Sequence, residues 1–213
     1  MLVAVLGHHG MLGRRVLEAF PDAVTFEERY TGEQHDPLLE AIEDADPDWV
    51  INCIGALYDE PDMWSCNAVL PHRLNHRWRL IQPSTDHVWD DTEYARSKRL
   101  GECGHVIRCA IVDPAGGVLA RAREGDTEGS TGREWNGITT KWWARIAREI
   151  IEGRYTSTVM PGSPTISHFD MLETARRVFG WQTVTRPEHL RRWLAPPPSL
   201  MTPPLAEQLR EYA

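Results

Sequence analysis

Tyr94 and Lys98 lie four residues apart at the start of a predicted helix, Glu93–Cys103, and are spaced as a pair that could move a proton. Residues at this spacing share one face of a helix, so the lysine ammonium can approach the tyrosine ring. A positive charge there favours the phenolate and lowers the pKa of the tyrosine. Tyr94 could then exchange a proton with a substrate oxygen near neutral pH. Taken alone, the pair is also explained by a solvated helix face.

Thr85 stands at the end of the predicted strand before this helix, in the run STDHVW that covers Ser84 to Trp89. Ligands of open α/β sheets bind beyond the carboxyl ends of the strands. A threonine hydroxyl there can hold a carbonyl oxygen while hydride arrives at the carbonyl carbon. This position supports a catalytic interpretation of the Tyr94–Lys98 pair.

A glycine-rich turn lies between the first predicted strand and the first predicted helix. It reads GHHGMLG and consists of Gly7, His8, His9, Gly10, Met11, Leu12 and Gly13. Small residues let backbone amides approach a pyrophosphate, and the helix N-terminus then faces that charge with its positive end. The spacing GxxGxxG differs from the commoner GxGxxG fingerprint. The two histidines could help neutralise phosphate charge, or they could be ordinary loop residues.

Glu27 lies twenty residues beyond Gly7, at the end of the second predicted strand. An acidic side chain in this place binds the ribose hydroxyls of an adenosine. Glu28 would repel a 2′-phosphate, although Arg29 and Arg14 could offset it, so the balance favours NAD over NADP. Each of these charges could also be plain surface.

Short apolar runs alternate with helical patterns in the first half of the chain, which is typical of βαβ units and a parallel sheet. The predicted strands cover Leu2–Leu6, Ala23–Phe26, Trp49–Ile54, Leu80–Thr85 and Val106–Ile111. The predicted helices between them cover Met11–Phe20, Pro37–Asp44, Asn67–Trp78 and Glu93–Cys103. This pattern predicts an α/β fold with a Rossmann-like, doubly wound parallel sheet.

The pattern changes after residue 113. A loop rich in Gly, Glu, Ser and Thr (116–137), with room for one short helix, precedes two strong helical patterns, Thr140–Glu152 and His168–Phe179. Five prolines between Pro196 and Pro204 indicate an extended tail before a last helix that begins at Leu205. We expect an NAD(P)-binding domain over residues 1–113. Residues 114–213 are expected to form a small, mostly helical substrate lobe with the C-terminal tail packed on it.

Charge and composition exclude several classes of partner. The chain has 213 residues and a net charge of −8, whereas nucleic acids and anionic membranes attract basic surfaces. The longest apolar run, Trp49–Leu57, is too short to span a bilayer. No basic region precedes Leu2, so no signal peptide is expected. The four cysteines have no CxxC spacing, which is typical of reduced thiols in a cytoplasmic protein.

No metal site is predicted. His72 and His76 are spaced to share a helix face, but no Glu follows His72 and no third ligand is evident in the sequence.

Several further runs, together with the motifs above and in the same order, resemble a known family. They are PDWVINCIG (47–55), NAVLPHRL (67–74), YARSK (94–98), VIRCAIV (106–112) and WNGITT (135–140). The family is the extended short-chain dehydrogenase/reductases, and within it the dTDP-4-dehydrorhamnose reductase group. With GHHGMLG and STDHVW, these runs cover most of residues 1–180.

The resemblance implies a reductase of a nucleotide-linked 4-keto sugar that uses NAD or NADP and serves surface-polysaccharide precursor synthesis. It implies that Thr85, Tyr94 and Lys98 form the catalytic set, with Lys98 also holding the nicotinamide ribose. Other matching positions imply cofactor contacts: Asp36 faces the adenine, and Asn52, Cys53, Ile54 and Gly55 end the strand beside the cofactor. Members of the family often form homodimers.

The chain departs from the family pattern in its substrate region. Only eight residues separate Thr85 from Tyr94, where the family carries a longer stretch, and the segment 67–84 is also shorter. An epimerase or dehydratase on the same scaffold is therefore an alternative, although His87, not Glu, follows Asp86. A non-catalytic NAD(P)-binding regulatory module that has lost its substrate pocket is another.

Overall fold

Five parallel strands form the central sheet in the first half of the molecule. The computed structural model describes residues 1–57, 60–125, 128–182, 186–188 and 194–213. The strands are β1 (Val3–Leu6), β2 (Val24–Thr25), β3 (Trp49–Asn52), β4 (Arg79–Ser84) and β5 (His105–Arg108). Their order is β2-β1-β3-β4-β5, and each neighbouring pair is parallel. The predicted α/β fold with a Rossmann-like parallel sheet is confirmed.

Helices connect the strands and continue through the rest of the chain. They are α1 (Met11–Ala19), α2 (Pro37–Ala45), α3 (Leu70–Asn75), α4 (Glu93–Leu100), α5 (Gly117–Glu124), α6 (Thr140–Ile151), α7 (His168–Phe179) and α8 (Leu205–Arg210). The helix predicted over Asn67–Trp78 differs most, because it is a π-helical turn, Ser65–Val69, followed by the short α3. Within the described residues, no helix is both long and apolar enough to cross a bilayer.

The core of the first half lies where α2 and α3 contact the sheet. Its buried members are Ala4, Leu6, Leu38, Ile42, Val50, Leu70, Leu74 and Leu80. The β1 and β3 strands are buried at every position, and all of their residues are apolar except Asn52 at the end of β3. Continuous burial of this kind is expected of strands that are covered on both faces. The loops at the carboxyl edge of the sheet therefore follow strands that are held in a buried core.

The chain divides into two compact units. One contains residues 1–108 and 144–159, and the other contains residues 109–143 and 160–213. The division differs from the predicted one at residue 113, because most of α6 belongs to the first unit. Local periodicity identifies a helix but not the unit against which it packs, so the sequence does not indicate that residues 144–159 rejoin the first unit.

The second unit contains α5, α7 and α8 together with four two-stranded sheets. These pair β6 (Ile111–Val112) with β9 (Ile138–Thr139), β7 (Glu128–Ser130) with β12 (Arg186–Glu188), β8 (Glu134–Trp135) with β11 (Ile166–Ser167), and β10 (Pro161–Gly162) with β13 (Leu200–Met201). The unit therefore holds more strand than predicted, since strands of two or three residues are too short to show a period. Residues 126 and 127 of the predicted loop lie outside the described residues.

The C-terminal tail is tied into the second unit by buried side chains. Leu205 and Leu209 belong to its core cluster. The fully buried Gln208 accepts a hydrogen bond from the backbone N–H of Thr139 at 2.9 Å. The Tyr212 hydroxyl lies 2.8 Å from the hydroxyl of Thr140. These contacts explain why a short helix after a proline-rich stretch is held in place.

Candidate active site

The glycine turn follows β1 directly and has a geometry that only glycine permits. Gly7 has a φ of +69°, in the left-handed region, and its carbonyl accepts a hydrogen bond from the N–H of Gly10 at 2.9 Å. A Cβ at Gly13 would lie 2.1 Å from the carbonyl oxygen of Gly7. The first turn of α1 thus packs on the backbone of the loop more closely than any side chain would allow.

The N-terminus of α1 fits a bound anion. Its N-cap residue is Gly10, which has no side chain to accept from the helix N–H groups, and the first turn contains no acidic residue. The positive end of the helix is thus left free of a side-chain carboxylate. Leu12 is buried and Met11 is half-buried, and their side chains are apolar, so only their backbone N–H groups could donate hydrogen bonds to a phosphate. These residues fit the pyrophosphate of a dinucleotide.

The end of β3 lies against the glycine turn. A Cβ at Gly7 would lie 3.0 Å from the carbonyl carbon of Cys53 and 3.1 Å from the nitrogen of Ile54. Asn52 shapes this segment, because its Oδ1 accepts a hydrogen bond from the N–H of Ile54 at 3.0 Å. Burial raises the pKa of the Cys53 thiol, which stays neutral. In the order β2-β1-β3-β4-β5, the direction in which strands are added reverses between β1 and β3. Open α/β sheets bind ligands at the carboxyl ends of the strands at this topological switch point.

Lys98 reaches the same segment from α4. A Cβ at Gly55 would lie 3.0 Å from the Lys98 Nζ. The Nζ also lies 6.0 Å from the centroid of the Tyr94 ring. The glycine turn and the Tyr94–Lys98 pair therefore meet on one short segment, 53–55. Desolvation lowers the pKa of Lys98 to about 8, and an electrostatic interaction with Cys66 partly opposes this effect.

Asn67 joins α4 to the segment after β3, a role that we did not assign from the sequence. Its Nδ2 donates to the carbonyl of Ala56 at 2.8 Å and to the Ser97 hydroxyl at 3.2 Å. Its Oδ1 accepts from the N–H of Ala56 at 3.1 Å. The Ser97 hydroxyl in turn donates to the carbonyl of Tyr94 at 2.8 Å. The run NAVLPHRL was the available signal, but a single polar residue in a helical pattern does not reveal its partners.

Thr85 follows β4, at the same carboxyl edge of the sheet. Its Oγ1 accepts a hydrogen bond from the N–H of His87 at 3.1 Å and lies 3.3 Å from Oδ1 of Asp86. The hydroxyl thus stabilises the turn that starts the short connection to α4. Thr92 caps α4 at the other end of this connection, accepting from the N–H of Ala95 at 3.1 Å. The contact of Thr85 with a substrate carbonyl stays a prediction.

Glu27 lies beside the glycine turn, as the ribose-binding prediction requires. Its Oε1 is 3.3 Å from the His8 Nε2, and its Oε2 is 3.2 Å from the His9 Nε2. The hydrogen bond and charge of His9 lower the pKa of Glu27, and His8 contributes less. The carboxylate is 79% exposed and remains accessible to a ligand. Its contact with ribose stays a prediction.

Asp36 has a structural role that the resemblance did not imply. Its Oδ1 accepts from the N–H groups of Leu38 and Leu39 and so caps α2, while its Oδ2 accepts from Thr31 and Gly32. Burial opposes ionisation, but the hydrogen bonds outweigh it and hold the pKa of Asp36 below its usual range. The side chain is only 1% exposed. An adenine contact of this carboxylate stays a prediction.

Known proteins resemble this chain in structure but not in sequence. No family model matches the chain, and no curated protein sequence is significantly similar to it. Among solved structures, a dTDP-4-dehydrorhamnose reductase from Clostridium acetobutylicum is 17% identical with a TM-score of 0.80, over 100% of this chain and 98% of the other. The reductase from Bacillus anthracis, in complex with NADP, is 13% identical with a TM-score of 0.81, over 99% and 96%.

Epimerases share the same architecture. The UDP-glucose 4-epimerase of Thermotoga maritima, with UDP-glucose, is 13% identical with a TM-score of 0.74, over 99% of this chain and 96% of the other. The chain therefore has the fold of the sugar-nucleotide reductases and epimerases. Within that class, dTDP-4-dehydrorhamnose reductases are among the structures that match it over its whole length.

Proposed function

We propose that the chain is an NAD(P)H-dependent reductase of a nucleotide-linked 4-keto sugar, of the dTDP-4-dehydrorhamnose type. The observation that carries the proposal is the position of the Lys98 Nζ, 6.0 Å from the Tyr94 ring and next to Gly55. The segment that ends at Gly55 also contacts the glycine turn through Cys53 and Ile54. Residues 53–55 thus connect the proposed proton donor, Tyr94, with the proposed dinucleotide site at the glycine turn.

The cofactor would be held by the glycine turn and the segment after β3. Backbone N–H groups of Met11, Leu12 and Gly13 would bind the pyrophosphate, and the Glu27 carboxylate would accept from the ribose hydroxyls. His9, which belongs to the glycine turn and is 77% exposed, would add a hydrogen bond to a phosphate. When bound, the nicotinamide supplies hydride to the keto carbon.

The chain's own residues supply the proton and the orientation. Tyr94 donates its phenolic proton to the keto oxygen, and the Lys98 ammonium lowers the cost of the phenolate that remains. Lys98 also donates to the nicotinamide ribose. Asn67 bonds both to Ala56 after β3 and to Ser97 of α4. It would therefore position Lys98, which lies on α4, and would not contact the substrate itself. Thr85 orients the carbonyl oxygen with its hydroxyl.

The test is oxidation of NADH or NADPH by the purified chain with dTDP-4-dehydrorhamnose, followed as loss of absorbance of the reduced nicotinamide. We expect cofactor oxidation that depends on the sugar, and one reduced sugar formed for each cofactor consumed. UDP-glucose provides the comparison, because its conversion without net cofactor consumption would favour an epimerase. Binding of NADH without turnover of either sugar would instead favour a regulatory module and contradict the reductase.

The rate of reduction should fall as the pH rises through about 8, where Lys98 loses its proton. Because the neutral amine no longer favours the phenolate, Tyr94 becomes a weaker acid. The measurement is kcat/KM against pH, with saturating cofactor. Lys98→Arg is the matched variant, since arginine stays charged throughout. The Lys98→Arg variant should have a lower kcat/KM, but its kcat/KM should not decline near pH 8. An unchanged decline in this variant would mean that a group other than Lys98 loses the proton.

A further inference from the structure

Three side chains around the glycine turn present nitrogen and oxygen atoms to one another. His8 and His9 follow β1, and Glu27 follows β2, the neighbouring strand. One ligand atom from each residue lies within 4.8 Å of those from the other two. The two imidazole rings are 3.9 Å apart between centroids and tilted by 45°. Each ring directs its Nε2 at a different oxygen of the same carboxylate.

The spacing of these atoms is close to that of the ligands of a tetrahedral metal ion. Zinc binds histidine nitrogen and carboxylate oxygen at about 2.0–2.2 Å, which in a tetrahedron separates neighbouring ligand atoms by about 3.3–3.6 Å. The His8 Nε2 lies 3.3 Å from one oxygen of Glu27 and the His9 Nε2 lies 3.2 Å from the other. A site with one carboxylate ligand atom therefore needs the exposed Glu27 side chain to turn one oxygen toward both rings. Two imidazoles and one carboxylate are a donor set that zinc and neighbouring transition metals accept, with a further position left for water.

One of the three residues is buried and two are exposed, as expected of a site that is partly fixed by the fold and accessible to an ion from solvent. The His8 side chain is only 10% exposed, so the fold fixes its ring. His9 and Glu27 are 77% and 79% exposed, which leaves a path for the ion to enter. The loop also approaches Gly13 and Cys53 closely, and these contacts restrict the backbone of the first ligand.

We propose that His8, His9 and Glu27 form a binding site for a divalent first-row transition metal, represented by Zn²⁺. This site is separate from His72 and His76, for which the sequence shows no third ligand. His9 and Glu27 are 18 positions apart in the chain, and only the pairing of β1 with β2 brings them together.

The site shares Glu27 with the proposed dinucleotide site, so metal and cofactor compete for that carboxylate. This consequence, unlike the metal site itself, rests on the proposed function. A carboxylate oxygen that coordinates a cation is no longer a free acceptor for a ribose hydroxyl. Metal at this position would therefore weaken binding of NADH.

Calorimetric titration of the chelator-treated full chain with Zn²⁺, in the absence of nucleotides, tests the site. Loss of groups that merely orient a ligand weakens metal binding 10–100-fold, so losing a ligand should cost at least about tenfold in affinity. We expect this loss in Glu27→Gln and in His9→Ala. Both residues are exposed, so neither substitution disturbs the core.

Glu40→Gln is the matched control. Glu40 lies 3.6 Å from the exposed His35, and this pair belongs to no three-ligand group among the described residues. The control should bind Zn²⁺ as the unmodified chain does. Visible absorption of bound Co²⁺, of the intensity typical of tetrahedral sites, is expected in the unmodified chain and not in Glu27→Gln. Equal Zn²⁺ affinity in the unmodified chain, Glu27→Gln and His9→Ala would overturn the proposal.

A second titration, with NADH in the presence and absence of Zn²⁺, tests the competition. We expect Zn²⁺ to weaken NADH binding in the unmodified chain. Simultaneous binding of both, with neither affinity changed, would overturn the competition and leave the metal site standing. Failure of the zinc-free chain to bind NADH would overturn the proposed cofactor site, and the competition with it, but not the metal site.

Discussion

Replacement of Tyr94 by phenylalanine should abolish reduction while leaving cofactor affinity unchanged. The substitution removes one hydroxyl and keeps the ring beside Lys98, so packing at the start of α4 is retained. What is lost is the proton donor, and a positioned general acid contributes a factor of about 10²–10⁴ to the rate. The ring does not belong to the glycine turn, and the pyrophosphate contacts should therefore survive.

The measurement pairs steady-state turnover with NADH affinity from fluorescence titration. Tyr155→Phe is the control, because it removes a phenol that bonds to Glu149 of α6 and to no residue of the candidate site named above, and it should leave both quantities unchanged. Turnover of Tyr94→Phe at the unmodified rate would show that another group delivers the proton. Loss of NADH binding in the same variant would instead show that the hydroxyl positions the cofactor.

Replacement of Gly13 by alanine should disrupt the proposed cofactor site at the glycine turn. The new Cβ would lie 2.1 Å from the Gly7 carbonyl oxygen and 2.8 Å from the Cα of His8. The backbone fixes a Cβ, so no rotamer relieves this overlap, and α1 must move away from the turn. We expect a loss of about 1–3 kcal/mol in the free energy of unfolding, as for other overpacked sites. NADH affinity should fall at least about tenfold, which corresponds to about 1.4 kcal/mol.

Gly153→Ala separates the steric effect from the ordinary cost of replacing a glycine. Gly153 has a φ of +82°, and a Cβ there would meet nothing within 4 Å. Its replacement should reduce stability through backbone strain alone and leave NADH affinity unchanged. Chemical denaturation and NADH titration of both variants make the comparison. An equal loss of affinity in the two would mean that the fit of α1 against the turn does not hold the cofactor site.

Two threonine hydroxyls stabilise the short connection between β4 and α4. Thr85 stabilises its first turn through the N–H of His87, and Thr92 caps α4 at its end. Both hydroxyls accept hydrogen bonds that the backbone would otherwise leave unmade, so eight residues suffice to join β4 to α4. The sequence shows that the connection between β4 and α4 is short, but only the structure shows the two hydrogen bonds that stabilise its ends.

The helix predicted after β3 shows where local patterns fail. The sequence favours one helix over Asn67–Trp78, whereas the chain forms a π-helical turn and then the short α3. The π-helical turn carries the Asn67 side chain, which bonds to Ala56 and Ser97. These bonds connect residues that are 11 and 30 positions apart. Apolar periodicity contains no information about such pairings.

The alternation of strands and helices, the glycine turn and the Tyr94–Lys98 pair can be predicted from the sequence alone, because each depends on residues close together in the chain. Hydrophobic period, backbone freedom at glycine and helical spacing are local properties. The approach of Lys98 to Gly55, the capping of α2 by Asp36 and the contacts of Glu27 with two histidines are visible only in the folded chain. Those contacts join separate strands and helices, and strand order and packing fix them.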